Sequence, residues 1–224
     1  MKNAKSCVLL AVGILFFAGH MYADSSDSLQ ICGYSYADTI SQTRDTTHFR
    51  IHFTTSGRDS TNVIFVNQVV EAALRSWRTQ VDSLLWGPPI SDNALGGNDR
   101  VDIYIADTGA GRQYNYGTTF SDDRTTRSSS SYIVMWKGTP LPIKRKFVVA
   151  HEFNHVLQNS YNRSGDAWFR EGTAEWMGQI SIPEAIIELQ ANPFQISKLY
   201  LPIAVTEPSL SSYTYSSWLW CEFL

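Results

Sequence analysis

The sequence predicts an α+β fold. Three short segments alternate apolar and polar residues with the period of a half-buried strand, one long segment repeats apolar residues at helical spacing, and an apolar run free of Gly and Pro announces a second helix. With 224 residues, 43% of them apolar, one domain with a sizeable core is the natural size. Only 17% are charged, the formal net charge is -3, and the pI is near 5.9, so no basic surface for nucleic acid is present. An aromatic content of 13% argues against disorder.

Residues 1–23 read as a cleaved secretory signal. Lys2 and Lys5 form a positive start, Cys7 to Ala18 is apolar but short for a bilayer span, and Ala23 is a small residue at the cleavage position. The mature protein is then expected outside the cytoplasm, as an extracellular, periplasmic or surface-attached chain with no stable membrane insertion. Residues 24–47 are polar and read as a leader or pro-region before a domain at 48–224. The first strand is His48 to Thr55, with Phe49, Ile51 and Phe53 on one side. Asp59 to Asn62 supply capping residues for a helix marked by Val66, Val70, Leu74, Trp77, Val81 and Leu84, which Gly87-Pro88-Pro89 stops. The loop from Ser91 to Arg100 holds Asp92, Asn93, Gly96, Gly97, Asn98 and Asp99. Such loops can hold Ca²⁺, although the spacing is not that of an EF-hand and turns use the same residues. Val101 to Ile105 and Tyr132 to Trp136 are the other strands, separated by a loop rich in Gly and Ser.

The chemistry is concentrated in Phe147 to Gln158, which contains His151-Glu152-Phe153-Asn154-His155. On a helix the two histidines lie on one face about 6 Å apart along the axis, a spacing at which both can bind one metal ion. Glu152 is rotated by about 100° and sits beside the ion, where it can act as a general base. His48 and His52 are also four apart, but on a strand they are about 13 Å apart and cannot share a metal. A hydrolytic zinc site needs a third protein ligand. After a polar break, Trp168-Phe169-Arg170-Glu171-Gly172-Thr173-Ala174-Glu175-Trp176 supplies two glutamates on one helical side, one to ligate and one to orient a histidine.

His-Glu-x-x-His followed by Trp-Phe-Arg-Glu-Gly-Thr-Ala-Glu resembles the gluzincin zinc metallopeptidases, and most of all the secreted bacterial branch that includes the collagenase-type catalytic domains. The resemblance covers roughly residues 147 to 223. It implies a zincin-like fold, a small mixed sheet with an active-site helix and a following ligand helix. It implies Zn²⁺ bound by His151, His155 and Glu171, Glu152 as general base, and Glu175 as the supporting residue. Tyr213-Thr214-Tyr215-Ser216 is similar to the family's downstream tyrosine segment, with Ser216 where the family has Gly, and this implies Tyr215 as the oxyanion donor. It further implies that the strand before the active-site helix, here Tyr132 to Trp136, is a sheet edge that pairs with extended substrate.

The expected function is therefore secreted zinc-dependent endopeptidase activity on a peptide or protein substrate. Two other classes are consistent with the composition: a secreted zinc-binding pseudoenzyme or adhesin whose metal only organises the fold, and a metal-free surface-binding module using exposed Trp and Tyr. Gly-x-Ser-x-Gly, phosphate-loop and dinucleotide-binding motifs are absent from the sequence. Once Cys7 leaves with the signal, Cys32 and Cys221 remain and can pair in an oxidising compartment. The chain stops at Leu224 within an apolar stretch, as a fragment of a longer protein would.

Overall fold

Alternation at Phe49, Ile51 and Phe53 places three large side chains on one sheet face, and all three are buried there. They belong to one strand of a mixed five-stranded sheet that packs against two of the three α-helices among the described residues, the third helix packing on the second. The computed structural model describes residues 30–31, 34–35, 40–108, 116–185 and 221. Strands β1 (Gln30–Ile31) and β2 (Tyr34–Ser35) form a separate two-stranded pair. The main sheet comprises β3 (Gln42–Asp45), β4 (Phe49–Phe53), β5 (Val101–Ala106), β6 (Gly117–Ser121) and β7 (Ser131–Trp136), in the order β3-β4-β5-β7-β6. Strands β4, β5 and β7 run parallel, and β3 and β6 pair antiparallel at the two edges. The signal and half of the leader lie outside the described residues, but β3 shows that the sheet begins before residue 48.

Helix α1 (Val63–Trp77) starts at Asn62, whose side-chain oxygen accepts from the Phe65 N–H at 2.9 Å. The spacing that runs on to Leu84 continues as a π-helical turn, Arg78–Ser83, which turns Gln80 into the interior. Helix α2 (Pro142–Tyr161) opens with Pro at its first position, where a missing N–H costs nothing. Helix α3 (Ala167–Ser181) follows after a short connection. Ile103, Ile105, Ile133 and Met135 of the sheet pack against Phe65, Val66 and Val69 of α1 and against Val149, Phe153 and Leu157 of α2. Phe49 and Phe153 meet edge to face at 5.2 Å, joining the sheet to the helix that carries both histidines.

Two expectations are corrected. The segment between β5 and β7 is not all loop, since Gly117–Ser121 is strand β6. Strand β7 is consequently an interior strand, and among the described residues β6 is the edge. Hydrophobic alternation cannot reveal Gly117-Thr118-Thr119-Phe120-Ser121, because every residue of it is half-buried.

The opposite sheet face is polar for a buried surface. His52 Nε2 lies 2.7 Å from Asp102 Oδ1, and its ring stacks on Tyr104. Burial pushes His52 down to about 4 and raises Asp102, so burial disfavours the charged form of both partners in this contact. The Asp-rich loop covers that end of the sheet through turn contacts. Asp92 Oδ1 accepts from the Ala94 N–H and Asn98 Oδ1 from the Arg100 N–H, as side chains of turns do. Cys221 is buried and has no disulfide partner among the described residues, and Cys32 lies outside them.

Candidate metal centre

Helix α2 is covered by the sheet, α1 and α3, so its histidines have no access to bulk water on most sides. His151 and His155 are each 8% exposed, one turn apart on the face toward α3. Their Nε2 atoms are 3.1 Å apart, and Glu171 Oε2 from α3 lies 3.3 Å from the first and 3.5 Å from the second. Three donor atoms from three side chains thus converge, and among the described residues these three alone form a group with metal-ligand spacing. A nitrogen, nitrogen, carboxylate set suits zinc.

The α2–α3 connection is what aims Glu171. Arg170 donates to the Asn162 and Arg163 carbonyls and to Asn159 Oδ1, tying the start of α3 to the end of α2. Glu175, one turn further along α3, places Oε1 4.0 Å from Nδ1 of His151, longer than a hydrogen bond but close enough to act through charge. Glu171 thus lies at the convergent point and Glu175 behind one histidine.

Electrostatics at this point favour a positive charge. Burial disfavours the charged form of His151, yet its hydrogen bond to Glu171 and the charges of Glu175 and Glu152 outweigh burial and push it up to about 9. Burial would raise Glu171, but its hydrogen bonds to both histidines hold it well below the usual carboxylate range. Glu175 is raised, by burial first, with His151 and Lys144 opposing.

Two supporting residues escaped the sequence reading. Gln158 Oε1 accepts from His155 Nδ1 at 2.8 Å, which fixes the ring with Nε2 facing the centre. Its amide is held in turn by Asn154 Oδ1 and Thr173 Oγ1, and Asn154 donates to Gln80 on the π-helical turn. The signal for Gln158 was present, three positions after His155 on the same helix face. The other residue is Thr119 on β6, whose Oγ1 lies 2.8 Å from Glu152 Oε2 and 2.9 Å from the Glu152 carbonyl. Strand β6 can approach α2 this closely because Gly117 carries no side chain: a Cβ there would lie 2.6 Å from Val148 Cγ1 and 2.8 Å from Glu152 Cγ.

Glu152 itself is buried and stands apart from the three convergent atoms. Tyr215 lies outside the described residues. No helix among the described residues is long and apolar enough to cross a membrane. Compared with protein-family models, curated proteins and solved structures, the chain matches none.

Proposed function

We propose that the chain is a secreted zinc-dependent peptidase that hydrolyses peptide bonds with Glu152 as general base. One observation carries this reading: His151, His155 and Glu171 converge, and a further carboxylate that takes no part in that convergence is separately held beside them. A metal that only organised a fold would need the three ligands and would give Glu152 nothing to do. Zinc held by the three residues supplies a Lewis acid that polarises the scissile carbonyl and makes water more acidic.

The protein's own groups do the rest. Glu152 takes a proton from the attacking water and delivers it to the leaving nitrogen. Thr119 donates to one carboxylate oxygen, which fixes the rotamer and leaves the other oxygen for water. Gln158 holds the tautomer of His155, and Glu175 adds negative charge behind His151. Strand β6 pairs with β7 on one side, and its other edge offers backbone groups to an extended peptide.

The test is cleavage of a denatured protein by the zinc-loaded chain, stopped by a chelator and restored by zinc. A folded, zinc-loaded chain that cuts nothing would refute the proposal. A second expected outcome concerns Thr119. Thr119→Val keeps the branched shape and removes the hydroxyl, so kcat should fall roughly tenfold while KM and zinc content hold, and Thr119→Ser should recover most of the loss. Unchanged kcat in Thr119→Val would mean that the hydroxyl does not position the base.

A further inference from the structure

The start of α2 carries three consecutive cations, Lys144, Arg145 and Lys146, and two of them have assigned partners. Arg145 donates to Gln68 Oε1 and the Thr139 carbonyl, and lies over the Phe65 ring. Lys146 pairs with Glu71 at 2.6 Å. Lys144 differs. Its ammonium sits 5.3 Å from the centroids of both Tyr116 and Phe147, and no described carboxylate forms an ion pair with it. Burial pushes it below the ordinary lysine value, with Glu175 opposing from beyond ion-pair distance. Two ring faces return part of the hydration it has lost, and a carboxylate would return more.

Its place relative to the histidines follows from the backbone spacing along two elements. On α2, Lys144 precedes His151 by seven positions, about 10 Å along the axis and on the same face. Phe147 fills the interval, with its ring 6.3 Å from that of His151. On the sheet, Thr119 touches Glu152, and Tyr116 lies three positions back, again about 10 Å at strand spacing. Both spacings, one ending at His151 and one at Thr119 beside Glu152, equal about three residues of extended peptide, and the ammonium lies at their far end against Tyr116 and Phe147.

We propose that Lys144, framed by Tyr116 and Phe147, is a subsite for a substrate carboxylate about three residues from the scissile bond. This inference rests on the peptidase reading above. The carboxylate is that of an Asp or Glu side chain, or the free C-terminus of a short peptide lying along the β6 edge. A cation that is partly desolvated before substrate arrives selects strongly, because a neutral residue at that position leaves it without a partner.

The experiment is cleavage of a degenerate peptide library by the zinc-loaded full chain, with cut sites read by mass spectrometry. Acidic residues should be favoured over their amides roughly tenfold at one position on one side of the cut. Matched peptides ending at that position as free acid or amide separate the two sources: side-chain recognition acts in both, whereas terminal recognition needs the free acid. Lys144→Met should flatten the preference, Lys144→Glu should turn it toward Lys and Arg, and Lys144→Arg should preserve it, each checked for zinc content and far-ultraviolet circular dichroism. Cleavage without acidic selection, or a Lys144→Glu profile identical to the wild type, overturns the subsite alone. No cleavage by the zinc-loaded wild type overturns the peptidase reading and this inference with it.

Discussion

Glu152→Gln should retain zinc at the wild-type level and lose hydrolysis by about 10²- to 10⁴-fold in kcat, the range that a positioned general base contributes. The substitution is nearly isosteric, and its amide oxygen can still accept from Thr119 Oγ1, so the β6–α2 contact survives. His151, His155 and Glu171 are untouched, and metal content becomes the internal control. What disappears is the only function assigned to this side chain, removal of a proton from water. Because ground-state binding does not use that proton transfer, KM should change little. The measurement is steady-state kinetics on one peptide alongside elemental analysis of the same preparation. Wild-type turnover in a zinc-replete Glu152→Gln sample would show that another group is the base.

His155→Ala should reduce zinc from about one ion per chain to almost none, because two protein donors seldom hold zinc against a chelator. The imidazole is buried, so circular dichroism must show a folded variant before the metal content is read. The same site makes a proton-coupled prediction. His151 is pushed up to about 9, so at pH 7 it carries a proton that metal must displace. Zinc uptake should therefore release about one proton per ion at pH 7, and apparent affinity should rise with pH up to about 9 before levelling. Calorimetric titrations in two buffers of different ionisation enthalpy count that proton. A count of zero would mean that His151 is already neutral in the metal-free chain.

Legibility in the sequence followed the range of each interaction. The histidine face of α2 was readable because a four-residue spacing on a helix is a local fact, and burial of the surrounding apolar residues then points both rings the same way. The first-helix cap at Asn62 and the strands β4, β5 and β7 were readable for the same reason, as period and capping are written over a few residues. Strand β6 was not. It has no alternation of its own, and it is a strand because β7 supplies a partner for each of its residues from Gly117 to Ser121. The wrong edge was assigned to β7 in consequence, and Thr119 went unseen.

The polar interior shows the same division. Gln80 looks like an exposed helix residue in sequence, yet the π-helical turn buries it against the Ala150 carbonyl and Ser181. Asp102 and His52 alternate out from the core face as polar strand residues should, but the loop at Gly96 lies directly over Asp102 and takes it from water. A burial of this kind depends on which segment crosses the sheet, and no window of sequence contains that information.

The sequence by itself determined the α+β composition of the domain, the two histidines on one helical face and the pairing of Glu171 with Glu175 one turn apart, all set by backbone periodicity over a few residues. Only the tertiary structure decided which glutamate meets the histidines, that Thr119 holds Glu152, and that, among the described residues, β6 is the edge and Lys144 lies between two rings without an ion-pair partner. Those outcomes depend on the angle between α2 and α3 and on strand order, which are set by packing between segments far apart in the chain.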